Sequence, residues 1–130
     1  MNENTAPTDA RFVLVTTLDA LRPGAPVRVI VEGHTLVLAR HGDAVYAFQA
    51  TCPHEKADLS QARIERGCVV CPRHLAAFAL IDGKASAGWD NVEPLKLYPV
   101  RIVNGDVTVD AAAVSRQPPG GRRQVWDFSS

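Results

Sequence analysis

The stretch TCPHEKADLSQARIERGCVVCPRHLAAFAL, residues 51–80, decides how the rest of the chain is read. It holds Cys52-Pro53-His54 and, after sixteen intervening residues, Cys71-Pro72-Arg73-His74, the pattern C-x-H-x16-C-x-x-H. Two thiolates and two imidazoles make a complete four-ligand set for a metal centre. Residues 62–66 and 68–70 read as the strands of one hairpin between the boxes, and 77–81 as a strand beyond the second. Each Cys/His box then falls on a loop following a strand, an arrangement that can bring both loops to one end of a sheet. The proline after each cysteine fixes φ and stiffens the loop, which suits ligands held in place before the metal arrives. A single cysteine or histidine is ordinarily a packing residue. Two mirrored pairs, in a chain with three cysteines and four histidines in all, point to metal ligation instead.

Outward from this stretch, short runs of Val, Ile, Leu and Tyr alternate with Gly, Asn, Asp and Pro. They predict strands at 11–16, 27–32, 35–40, 44–48, 97–103 and 106–110, and with the three above an all-β domain with antiparallel pairing. Gly33-His34 predicts a two-residue turn with Gly first, Asp82-Gly83 one with positive φ at both centres, and Asn104-Gly105 is the strongest hairpin signal. Pro99 cannot donate to a ladder, so its strand is expected at an edge or bulged there. Only Thr17–Leu21 has helical character, over too short a run to matter. The folded body is expected over 11–114, between a flexible N-terminal arm, 1–10, and a flexible C-terminal tail, 115–130, with Pro118, Pro119, Gly120 and Gly121.

A chain of 130 residues fits one domain and leaves no room for a second with its own core. With 46% apolar and 22% charged residues it has the balance of a packed globular domain. Fourteen basic residues against fourteen acidic give no electrostatic footprint for nucleic acid. Residues 1–10 lack the basic and apolar regions of a secretory signal, and no apolar run approaches the roughly 18 residues of a membrane span. A cytoplasmic protein with no membrane partner is the expectation. The odd cysteine count argues against a disulfide framework.

Zinc also takes two Cys and two His, but its finger spacings pair Cys with Cys and His with His. Mixing one of each in both loops suits two irons, one held by thiolates and the other by imidazoles. Cys52-Pro53-His54-Glu55, Ala57-Asp58-Leu59-Ser60, Gly67 to His74 and Phe78-Ala79-Leu80 resemble the Rieske-type [2Fe–2S] ferredoxins of bacterial ring-hydroxylating oxygenase systems. Gly83-Lys84, Gly88, Pro94-Leu95 and Tyr98-Pro99-Val100-Arg101 are similar to the rest of that pattern, so the resemblance spans about 11–110.

The resemblance implies an antiparallel β-sandwich of three small stacked sheets, with two cluster-binding loops at one tip. Cys52 and Cys71 would bind one iron of a single [2Fe–2S] cluster, and His54 and His74 the other, nearer the surface. No catalytic residue is implied. The chain would be an electron carrier, not an enzyme, and a monomer. It would take electrons from a flavin-dependent ferredoxin reductase to a terminal oxygenase, docking transiently near His54 and His74.

Charge explains the imidazoles. Two ferric ions, two sulfides and two thiolates sum to zero, so reduction reaches only minus one, whereas four thiolates would take the core from minus two to minus three. Potentials accordingly run from about −150 to +300 mV, against about −400 mV for plant-type ferredoxins. High-potential members resemble a pattern with an extra disulfide-joined cysteine in each loop, where this chain has Ala57 and Arg73. The low end of the range is expected.

Two residues depart from the family pattern. Leu75 stands where Gly commonly follows the second histidine, and a bulky residue does not adopt positive φ cheaply. Arg73 replaces an aromatic or aliphatic residue, and is read either as solvated or as a positive charge beside the cluster. Cys68 is read as a packed strand residue, and His34 and His41 as solvated turn residues. Trp89 lies in a segment, Gly88 to Pro94, that aligns with a loop shielding the cluster, and it either packs over the cluster or fills the core. Trp126 and Phe128 beside Arg122 and Arg123 form either a docking peptide or part of a disordered tail. Two other readings stand beside the ferredoxin: the small subunit of an assimilatory nitrite reductase, which often lacks the four ligands, and a structural zinc module.

Overall fold

The computed structural model describes residues 10–53, 57–72, 76–86 and 93–119. These hold ten strands, β1 Phe12–Thr17, β2 Val27–Val31, β3 His34–His41, β4 Ala44–Gln49, β5 Arg63–Glu65, β6 Cys68–Val70, β7 Ala77–Ala79, β8 Leu97–Tyr98, β9 Val100–Val103 and β10 Asp106–Asp110, then helix α1, Ala111–Arg116. They form three antiparallel sheets, in the orders β1-β10-β9, β2-β3-β4-β8 and β5-β6-β7.

The middle sheet explains the layering. Leu36 and Leu38 on β3, Val45 and Ala47 on β4 and Tyr98 on β8 face one buried core. Their neighbours Val37, Ala39, Phe48 and Leu97 face the other. A strand buried on both faces needs an uninterrupted apolar run, which Leu36-Val37-Leu38-Ala39 supplies. The first core is closed by the β1-β10-β9 sheet and α1, through Val107, Val109, Ala111 and Val114. The second is closed by the β5-β6-β7 sheet, through Val69 and Phe78, and it contains both box cysteines. The all-β fold of three small stacked sheets is thus the one the resemblance implies.

Several local expectations are corrected. The β2–β3 turn is Glu32-Gly33, one residue before the expected pair, with φ of 53° and 78°. A two-residue hairpin whose twist matches its strands favours positive φ at both centres, so the turn takes Gly second, not first. Arg66-Gly67, joining β5 to β6, has the same conformation, with φ of 52° and 75°. Asn104-Gly105 behaves as expected, with φ of 52° and 84°. At Asp82-Gly83 only the glycine has positive φ. The chain makes a wider turn, Ala79 donating to the Lys84 carbonyl at 2.9 Å and Gly83 to the Ala79 carbonyl at 2.7 Å, which ends β7 at Ala79 and not at 81.

Pro99 splits the expected 97–103 strand. Before it, β8 pairs with β4, and after it, β9 pairs with β10, so the chain changes sheets where a ladder donor is missing. The helical character at 17–21 is a 3-10 turn, Leu18–Ala20. Helix α1 is not anticipated, and the boundary expected between 114 and 115 falls inside it. Asp110 caps α1, accepting at Oδ1 from the amides of Ala112 (3.0 Å) and Ala113 (3.3 Å), and from that of Arg11 (2.9 Å). Beyond the helix, Tyr98 donates its hydroxyl to the Gln117 carbonyl and Lys96 its ammonium to the Pro118 carbonyl, which keeps the chain packed as far as Pro119.

Candidate metal centre

Topology brings the two cysteine loops together. Arg63 at the start of β5 stands opposite Val70 at the end of β6, so the entry to β5 and the exit from β6 share one end of the sheet. The first loop leads into β5 through a 3-10 turn, Leu59–Gln61, and the second joins β6 to β7. Both therefore lie at that end.

The loops repeat each other. The Cys52 amide donates to the Ala57 carbonyl at 3.0 Å, and the Cys71 amide to the Ala76 carbonyl at 2.8 Å. Behind these bonds Thr51 stands opposite Asp58, and Val70 opposite Ala77. Each cysteine thus opens a four-residue excursion closed by the same bond to an alanine five residues on. Cys52 is 3% exposed and Cys71 fully buried, within the apolar core that includes Leu59, Val69 and Phe78.

His54, Arg73, His74, Leu75 and Trp89 lie outside the described residues, as do Trp126 and Phe128. What is described fits an iron–sulfur group: two buried thiol-bearing residues of soft-ligand type, on two equivalent loops at one end of one sheet.

Supporting residues come from nearby strands. Asp58 Oδ1 accepts from the Ser60 hydroxyl at 2.7 Å and amide at 2.9 Å, and these bonds hold its carboxyl below its ordinary value, the nearby Arg28 acting in the same direction. Arg28 also makes a surface ion pair with Asp58 at 3.3 Å. Burial pushes the Tyr98 phenol well above its ordinary value. Gly83 donates and accepts at once, its carbonyl taking the Leu95 amide at 2.7 Å.

Cys68 occupies its expected strand, but is only partly buried. It lines a depression of about 570 Å³ with Glu65, Arg66, Val70 and Ala77. His41 is exposed, whereas His34 is half-buried at the start of β3. The residue that sequence reasoning misses is Gln49, a buried amide closing the otherwise apolar end of β4. Its Nε2 donates to the Thr51 carbonyl and its Oε1 accepts from the Lys96 amide, each over 2.7 Å. The signal was a polar residue ending an apolar strand three positions before Cys52.

Three thin sheets, with paired cysteine loops at one end of one of them, suit an iron–sulfur electron carrier. Residues 11–99 match the Rieske [2Fe-2S] domain, and the chain belongs to that family. It is 31% identical over 93 residues to the anthranilate 1,2-dioxygenase ferredoxin subunit of Burkholderia cepacia, covering 72% of this chain and 85% of that protein. Its fold is similar to the ferredoxin of carbazole 1,9a-dioxygenase from Nocardioides aromaticivorans IC177, with a TM-score of 0.70 and 32% identity over 76% of this chain and 96% of that one. A putative NADH-dependent nitrite reductase small subunit from Mycobacterium tuberculosis is also similar, with a TM-score of 0.69 and 29% identity over 77% and 94% of the two chains. The protein is an electron-transfer ferredoxin whose cofactor is one [2Fe–2S] cluster. No helix among the described residues is long and apolar enough to cross a membrane.

Proposed function

We propose that Cys52 and Cys71 hold one iron of the cluster and His54 and His74 the other, and that the chain carries single electrons from a flavin-dependent ferredoxin reductase to a terminal oxygenase. The observation that carries this reading is the repeated loop closure, with buried Cys52 and Cys71 at equivalent positions at one end of the sheet. When bound, the group accepts and releases one electron at a time. The chain's own residues shield the thiolate side in an apolar core and leave the partners to dock, transiently, on the loop end around His54 and His74. The oxygenase follows from the names of the relatives, which are dioxygenase ferredoxins. We further propose a cytoplasmic monomer whose cluster-binding body begins at 11 and runs on through α1, with segment 1–10 before it.

Low-temperature EPR on anaerobically purified protein tests the centre. A rhombic signal present only after dithionite reduction, and lost in Cys52→Ala, His54→Ala, Cys71→Ala and His74→Ala, is expected. A colourless, EPR-silent sample with one zinc per chain would sink the proposal. The likeness to a nitrite reductase small subunit supports a second reading, which the complete ligand set disfavours. Electron delivery to a purified ring-hydroxylating oxygenase, measured as product formed per reductant consumed, separates the two.

A further inference from the structure

The two cysteine loops agree in the bonds that close them and differ in what flanks them. Val70, before Cys71, has a strand on either side, standing opposite Ala77 of β7 and Arg63 of β5. Thr51, before Cys52, is paired among the described residues with Asp58 alone. Its carbonyl is nonetheless satisfied, because the Gln49 side chain reaches forward along its own strand to donate to it at 2.7 Å. The same carboxamide accepts from the Lys96 amide at 2.7 Å, while the Gln49 main-chain amide donates to the Lys96 carbonyl at 3.1 Å. Gln49 is 7% exposed, so water competes little for these bonds.

We propose that Gln49 is the positioning residue of the Cys52 loop: its carboxamide takes beside Thr51 the place that Arg63 of β5 takes beside Val70, and ties the peptide before Cys52 to Lys96. The inference rests on Cys52 being a cluster ligand. The 51–52 peptide is held at both ends, its carbonyl by Gln49 Nε2 and its N–H by the Ala57 carbonyl. The backbone from which the Cys52 side chain projects therefore cannot rock without breaking a buried hydrogen bond. Lys96 is itself anchored, its Nζ donating to the Pro118 carbonyl at 2.9 Å, so the clamp reaches from the C-terminal segment to the ligand loop.

Gln49→Glu keeps an acceptor toward Lys96 and replaces the donor toward Thr51 with a carboxylate oxygen. Gln49→Met keeps the length and removes both partners, and serves if the buried carboxylate prevents folding. The test is hydrogen exchange by mass spectrometry on the full-length, cluster-loaded protein, comparing peptides covering 50–58 and 69–77. Exchange in the Cys52 peptide should accelerate about ten-fold, with the Cys71 peptide unchanged and iron release to a chelator faster by a similar factor. Equal acceleration of both peptides, or failure of both variants to fold, would assign Gln49 to global stability and overturn the inference, as would unchanged exchange in a folded variant. Cys52→Ala separates the two levels: full cluster retention in that variant would remove the ligand assignment whatever Gln49 does.

Discussion

At Gly83 the backbone is held at a φ of 78°, and a Cβ there would overlap the Leu95 carbonyl oxygen. Gly105 has a similar φ of 84° but open space around it. The pair separates conformational strain from collision. Gly105→Ala should cost about 1 kcal/mol, the left-handed penalty alone. Gly83→Ala adds overpacking against a backbone atom that cannot swing away, for roughly 3 kcal/mol in all. Urea unfolding of the two cluster-loaded variants checks this, and equal losses would mean that Leu95 gives way. Ala57 makes a different residue-scale prediction. It is buried beside the Cys52 loop and has no thiol, so the loop-bridging disulfide of the high-potential pattern cannot form. Redox titration should place the midpoint toward the low end of the Rieske range, near about −150 mV, and a value well above about +100 mV would contradict that assignment.

Among the elements, the 3-10 turn Leu59–Gln61 between the first cysteine loop and β5 is set by Asp58, whose carboxylate accepts two bonds from Ser60. Those bonds lower its folded-state pKa below the ordinary 3.8. A lowered carboxylate pKa contributes stability that is present above the unfolded value and is lost as the pH falls through the folded one. The stability advantage of the native protein over Asp58→Asn should therefore shrink on acidification below about pH 4, as measured by denaturant unfolding at stepped pH. A constant gap would show that the ionised form is not what the turn uses. Strands were the most legible elements, because Val27–Val31, Ala44–Gln49 and Asp106–Asp110 carry β-rich runs between strong turn residues. Less legible was anything decided by partners distant in sequence. Pro99 announced an interruption, yet only the pairing of β8 with β4 and of β9 with β10 makes it a crossing between sheets. Helix α1 is too short to show a helical period, and its one local sign was Asp110 before three alanines. The two equivalent loops around Cys52 and Cys71 were signalled by spacing, whereas Gln49 was not, because its bonds depend on Lys96, which lies far along the chain.

For the whole molecule, the decisive feature is that β3 and β4 separate two cores. One contains Cys52 and Cys71 and is closed by the short β5-β6-β7 sheet. The other is closed by β1, β9, β10 and α1, and contains neither cysteine. Three-residue strands pair through few hydrogen bonds, and their hairpins are marginal without support from packing. A bound metal group that interacts with the folded loops alone stabilises the fold by its own binding free energy, and that contribution falls on the core it touches. Removing the cluster should therefore loosen residues 50–86 first and leave 97–116 protected. Hydrogen exchange on protein stripped of iron under anaerobic conditions would follow both regions directly. Fast exchange at 57–72 with slow exchange at 100–110 would mean that the middle sheet insulates the two cores, and that the cysteine loops form a separate cooperative unit. Simultaneous loss in both regions would mean that the apolar run Leu36-Val37-Leu38-Ala39, which faces both cores, couples them into one.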